Sequence, residues 1–132
     1  LIPLRMSVKF QVVPRKNPRD LEAPEKFYAA AIADGEIDLE RLAEMIAYQC
    51  TVTDSDCYAV LTALEHNIVN ELKQGRIIKL GRLGNFQVGL SSDGKAFPEE
   101  VNASSIRKNR VLFRPGKRLR SMLNDLSYRK EG

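Results

Sequence analysis

The sequence has 132 residues, 43% hydrophobic and 29% charged, which is the length and balance of a single globular domain with room for a small extension. No apolar run approaches the length that spans a bilayer, and the start lacks the charged-then-apolar pattern of a secretory leader, so neither a membrane protein nor an exported one is expected. The net charge of +4 is unevenly spread: residues 1–100 hold 12 Lys/Arg against 15 Asp/Glu, a net of −3, whereas residues 101–132 hold 9 against 2, a net of +7.

Such end-loading points to a polyanion, with nucleic acid the commonest case; the competing reading is a solvated basic helix. Cys50 and Cys57 lie seven residues apart, which fits neither a close-spaced metal pair nor a disulfide framework, and they read as ordinary reduced thiols of a cytosolic protein. His66 is the only histidine and has no Cys or His at ligand spacing. Five residues, Leu1-Ile2-Pro3-Leu4-Arg5, precede Met6. Met6 is the expected natural start, with residues 1–5 coming from upstream sequence or from cloning.

Val8-Lys9-Phe10-Gln11-Val12 alternates apolar and polar residues, the mark of a half-buried strand. Residues 14–24, with three prolines and several charges, read as a surface loop. Lys26-Phe27-Tyr28-Ala29-Ala30-Ala31-Ile32 mixes helix-favouring alanines with strand-favouring aromatics. It is read as a strand, able to pair antiparallel with residues 8–13; one or two helical turns is the alternative.

Asp38 is placed to cap a helix in which Leu39, Leu42, Ala43, Ile46 and Ala47 recur at helical spacing, ending near Gln49. Thr53-Asp54-Ser55-Asp56 is a capping cluster with acids at the favourable end of the helix dipole. The second helix it opens puts Cys57, Val60, Leu61, Leu64, Ile68 and Leu72 on one stripe and stops at Gly75. So short a link implies a helical hairpin, antiparallel or steeply crossed.

Ile77, Ile78 and Leu80 read as a short strand, Gly81-Arg82-Leu83-Gly84 as a tight turn, and Phe86, Val88 and Leu90 as the returning strand. Residues 91–95 form a loop tip, and residues 96–105 carry no helical or strand period. In residues 106–113 a strand is expected with Val111 and Phe113 toward the core and Arg110, Leu112 and Arg114 away from it. Pro115-Gly116 breaks it. A last helix follows, with Leu119, Met122, Leu123 and Leu126 inside and Lys117, Arg118, Arg120 and Arg129 largely outside.

Two stretches resemble the HU / integration-host-factor family of bacterial histone-like DNA-binding proteins. Leu80-Gly81-Arg82-Leu83-Gly84-Asn85-Phe86 is similar to the family's Gly-Phe-Gly-x-Phe turn, matching at Gly84 and Phe86, with Arg82 where the first glycine is usual and Leu83 where the aromatic is usual. Phe113-Arg114-Pro115-Gly116-Lys117-Arg118-Leu119 is similar to Phe-Lys-x-Gly-Lys-x-Leu, matching at Phe113, Gly116, Lys117 and Leu119.

The resemblance spans about two thirds of the chain. It implies an α+β, HU-like fold: a two-helix hairpin packed under an antiparallel sheet, with a C-terminal helix. It divides the chain into residues 6–35, an N-terminal β extension that adds strands to the sheet or covers its edge, and residues 36–130, the DNA-binding domain. It also implies an intertwined homodimer whose sheet forms a saddle on DNA, with two arms in the minor groove. Residues 89–105 depart from the family arm, being short and carrying Asp93, Glu99 and Glu100 against Lys95 alone. Pro98 is the one proline in this segment that could act as a wedge, so binding is expected to rest on the saddle and the terminal helix.

The expected function is sequence-tolerant binding of duplex DNA by a nucleoid-associated protein in the cytoplasm. Arg107, Lys108, Arg110 and Arg114 would lie along the strand. Lys117, Arg118 and Arg120 would stand near the start of the last helix, where backbone N–H groups also favour anions, and Arg76, Lys79 and Arg82 on the hairpin. The alternative is a module of this fold that serves protein interaction and has lost DNA binding. The sequence has no Gly-rich phosphate loop, metal-spaced cluster or nucleophile elbow, so no enzyme activity, cofactor, metal or small-molecule substrate is expected, and no membrane partner.

Overall fold

Why the N-terminal segment folds is visible in its strand alternation and in where its proline falls. In the computed structural model, which describes residues 6–131, β1 (Val8–Arg15) and β2 (Lys26–Ile32) pair antiparallel from Lys9 opposite Ile32 to Arg15 opposite Lys26. The expected strand pair is thus present, and the alternative of helical turns for residues 26–32 is not. The other edge of β1 takes a third, parallel strand, β6 (Tyr128–Lys130), with Val8, Lys9 and Phe10 opposite Tyr128, Arg129 and Lys130. The Val8 N–H donates to Ser127 O at 2.8 Å, and the Glu131 N–H donates to Phe10 O at 2.9 Å, so even-numbered β1 residues aim their amides at β6. Pro14 shares that parity but lies beyond the reach of β6, so its missing N–H breaks no ladder bond.

Among the described residues these strands form one compact unit, residues 6–38 with 123–131; the second unit is Leu39–Met122. Two sequence expectations are corrected here. The extension adds no strand to the second unit's sheet: its strands form a sheet of their own in the order β2-β1-β6, separate from the sheet made by residues 78–79, 84–92 and 106–115. The last helix, α3 (Lys117–Leu123), ends before Leu126, and Arg129 lies in β6 rather than on a helix. The expected origin of residues 1–5 lies outside the described residues.

In the second unit, α1 (Leu39–Gln49) and α2 (Asp54–Lys73) pack together, and among the described residues the buried apolar side chains are Ala43 and Cys57, one from each helix. Thr53 caps α2, its Oγ1 accepting the Asp56 N–H at 3.1 Å. At the other end Gly75, at φ +78°, lets its N–H reach Leu72 O while the Arg76 N–H reaches Glu71 O. This pair of bonds closes the helix as sequence reasoning at Gly75 requires.

The chain then enters β3 (Ile78–Lys79), shorter than the expected strand, and turns through Gly81 (φ +58°) into β4 (Gly84–Ser92). The Leu83 N–H closes the turn on Leu80 O. α2 touches β3 and β4, which puts the helical hairpin against this sheet. β4 pairs with β5 (Ile106–Pro115) along its whole length.

Residues 93–105 fold back through two 3₁₀ turns, Pro98–Glu100 and Ala103–Ser105, in place of an extended arm. The Asn102 side chain caps the second turn by accepting the Ser104 N–H, and Ser105 Oγ accepts the Asn102 N–H. Val111 and Phe113 lie on the apolar face of β5 as expected, but within one chain neither is covered.

Candidate nucleic-acid interface

The β4–β5 register sorts side chains between two faces, because alternate residues of a strand point to opposite sides. Phe86 opposite Phe113 and Val88 opposite Val111 make the apolar face, with the two phenyl rings 4.9 Å apart at 44°. On the other face Asn85 stands opposite Arg114, Gly89 opposite Arg110, and Ser91 opposite Lys108. Lys79 of β3 is also opposite Asn85, so Lys79, Asn85 and Arg114 form one row across all three strands. Arg110 donates to Ser91 Oγ at 2.9 Å, which holds its guanidinium along the ladder.

At the end of this face a second group of cations comes together. Arg82, Arg114, Lys117 and Arg120 line an open cleft of about 530 Å³ with Asn85, and no carboxylate is among its lining residues. The cleft exists because the two motifs meet. Gly84 lies opposite Pro115, and the Gly116 N–H donates to Leu83 O at 2.9 Å. A Cβ at Gly116 would run into the Arg82 carbonyl, so glycine alone lets the turn and the start of α3 lie this close. α3 has only seven residues, so the anion attraction of the cleft is carried by side chains rather than by the helix end.

Three predicted residues do not join this arrangement. The register shifts between Ser91 and Ser92, which face Lys108 and Ile106, leaving Arg107 as the extra residue of a bulge. Its Nη2 and Nε lie 2.5 and 2.6 Å from Asp93 Oδ2, and this hydrogen bond pushes the guanidinium up from its ordinary value. Arg76 is bound to Glu71 at 2.5 Å. Arg118 is absent from the cleft lining, where Lys117 and Arg120, three apart, share one side of α3. By contrast Lys79, Arg82, Lys108, Arg110, Arg114, Lys117 and Arg120 form no ion pair among the described residues.

Sequence reasoning missed Asn85, Gln87 and Ser91 as polar members of the same face. The signal was there, since they alternate with Phe86, Val88 and Leu90, whose spacing identified the strand. Elsewhere, Asn70 Nδ2 lies 3.0 Å from His66 Nε2 on α2, and no cluster of three or more potential metal ligands occurs among the described residues. No helix among them is long and apolar enough to cross a membrane.

A family described as an HU domain fused to a winged helix-turn-helix, immunoglobulin or glycine-rich module matches residues 6–130. The chain belongs to the HU-HIG family. The match takes in the N-terminal strands, which the two motifs alone did not reach. Among solved structures, the HU-HIG chain is similar to a candidate bacterial DNA-binding protein of Bacteroides vulgatus ATCC 8482, at 19% identity with a TM-score of 0.66. That likeness covers 97% of this chain and 49% of the other, so the HU-HIG chain spans about half the length of that neighbour. No curated protein matches at a significant level. The α+β, HU-like fold expected from the motifs is the fold observed.

Proposed function

We propose that this protein binds duplex DNA through the basic face of its second unit, with little dependence on sequence, as a nucleoid-associated architectural protein. The observation that carries the reading is the cross-strand row Lys79–Asn85–Arg114, continued by Arg110 and Lys108 and ended by the Arg82/Lys117/Arg120 cleft. Cations spaced along a strand ladder and free of acids suit phosphate oxygens, and phosphate contacts fix a protein on DNA without reading bases. Specificity then comes from DNA shape and deformability. The second unit, Leu39–Met122, serves as the DNA-binding domain, and the unit built on the N-terminal strands serves as an extension. The protein works in the cytoplasm on the nucleoid, and the reading calls for no enzyme activity, cofactor or membrane.

The working form in this reading is a homodimer. Val60, Leu64, Val88 and Val111 are between 40% and 65% exposed although they lie on the apolar stripe of α2 and the apolar face of the sheet. A second copy would cover such a face.

The test is fluorescence anisotropy on a random-sequence duplex over a salt series. The native chain is expected to bind with a steep salt slope, and the Lys108→Gln/Arg114→Gln variant with a slope lower by about 1.8, two phosphates at ~0.9 each. Equal slopes would remove these residues from the interface. The folded-back segment 93–105, with Glu99 and Glu100 in its first turn, supports a second reading as a protein-interaction module. Absence of duplex binding at low salt would favour it.

A further inference from the structure

In the N-terminal unit, two like-charged pairs stand directly opposite each other across strand ladders. Lys9 of β1 faces Arg129 of β6, and Asp34 lies against both, 3.4 Å from Lys9 Nζ and 3.7 Å from Arg129 Nη2. Arg15 of β1 faces Lys26 of β2 with no such arrangement: neither residue, nor neighbouring Lys16, is in an ion pair among the described residues. Like charges directly opposite on a ladder repel. The fold answers the repulsion in one place with a carboxylate and leaves it unanswered in the other.

The unanswered pair opens on a cleft of about 640 Å³ at the tip of the β1–β2 hairpin, lined by Arg15, Lys16, Asn17, Lys26 and Tyr28 together with proline and alanine. No carboxylate lines it, although Asp20, Glu22 and Glu25 lie in the connecting loop. Asp20 Oδ1 instead accepts the Glu22 N–H at 3.1 Å, and Asn17 Oδ1 accepts the Arg19 N–H at 2.9 Å, local turns that shape the loop. Tyr28 follows Lys26 on the same face of β2 and is 49% exposed. Three cations beside an accessible aromatic ring is a chemistry that holds a duplex backbone: the charges take a phosphate, and the ring packs on the neighbouring sugar.

We propose that this cleft is a second phosphodiester-binding site, in which a DNA phosphate sits between Arg15 and Lys26 as Asp34 sits between Lys9 and Arg129, with Tyr28 against the neighbouring sugar. It rests on the DNA-binding reading of the second unit but uses none of the same residues. The bound phosphate removes the repulsion that the free hairpin carries, so duplex binding and relief of that repulsion are one event.

The chain contains no tryptophan, so Tyr28→Trp places a single reporter in the cleft. Its emission is expected to change on titration with a 30-base-pair duplex, at the midpoint seen by anisotropy, and not with inorganic phosphate at equal phosphate concentration. Arg15→Gln/Lys26→Gln in that background should abolish the change and lower the salt slope of duplex binding by about 1.8. The thermal midpoint of that variant without DNA should hold or rise, which keeps misfolding from imitating the result. A silent reporter and an unchanged slope while the duplex binds would overturn the second site and leave the second unit's reading standing. A response to inorganic phosphate at the same midpoint would make it a small-anion site instead. No duplex binding by the native chain would defeat both.

Discussion

Arg107 and Asp93 close the base of the folded-back segment: the guanidinium Nη2 and Nε both reach Asp93 Oδ2, at 2.5 and 2.6 Å, beside a backbone bond from the Asp93 N–H to Ser105 O. The pair is exposed to water, so it contributes little stability of its own. Its consequence is electrostatic, because an acid offsets the one cation that the bulge turns out of the basic face. Asp93→Asn is expected to tighten duplex binding and to steepen its salt slope, by up to about 0.9 if Arg107 then takes a phosphate. Weaker binding by Asp93→Asn would mean that the pair positions the segment for DNA. The sign of any pH effect follows from the raised Arg107 value: its contribution is complete below the ordinary arginine range and is lost only as pH rises through the higher folded-state value. Stability should therefore show no titration from Arg107 near neutrality, which thermal midpoints across neutral buffers will check.

Arg76 and Arg114 make a paired comparison within the second unit. Arg114 stands in the row with Lys79 and lines the cleft, while Arg76 is held by Glu71 just past the end of α2. Arg114→Gln should lower the salt slope of duplex binding by about 0.9 and weaken binding across sequences alike, whereas Arg76→Gln should leave both nearly unchanged. A larger loss from Arg76→Gln, read in the same salt series, would reverse the assignment.

The contrast shows which parts of this chain could be read from sequence. Strands β1, β2, β4 and β5 and both long helices were legible because their signals are local: alternation along Phe86-Gln87-Val88, a cap at Thr53, a stop at Gly75. The parity of Arg114 was legible too, since alternation fixes it. Strand β6 was not. Tyr128-Arg129-Lys130 has the composition of a solvated tail, and its partner lies about 120 residues away in parallel register, which no local pattern encodes. The bulge at Arg107 and its bond to Asp93 were hidden for the same reason, because a single-residue slip depends on the partner strand.

Gly84 and Gly116 test the contact between the two motifs. Gly84 sits at φ +145°, and a Cβ there would come within 2.5 Å of Arg114 O and 2.7 Å of the Phe113 ring. At Gly116 the obstruction is the backbone of Arg82 and Gly84, which no side-chain rotation relieves. Each change to Ala should cost about 1–3 kcal/mol, visible as a lower denaturation midpoint at an unchanged m-value. A neutral Gly116→Ala would show that the turn and α3 can separate without loss, and the cleft would then have no fixed shape.

The homodimer reading makes stability depend on concentration. If a second copy covers the α2 stripe, the thermal midpoint should rise with protein concentration, and sedimentation should give about twice the chain mass of 14.9 kDa. Leu64, 40% exposed in one chain, would then be enclosed, and burying such a side chain is worth about 1.5–3 kcal/mol. Leu64→Lys should lower the midpoint, weaken its dependence on concentration and shift the sedimenting species toward the single chain. A midpoint independent of concentration together with a monomeric native chain would sink the dimer, and would leave Val60 and Leu64 as surface residues.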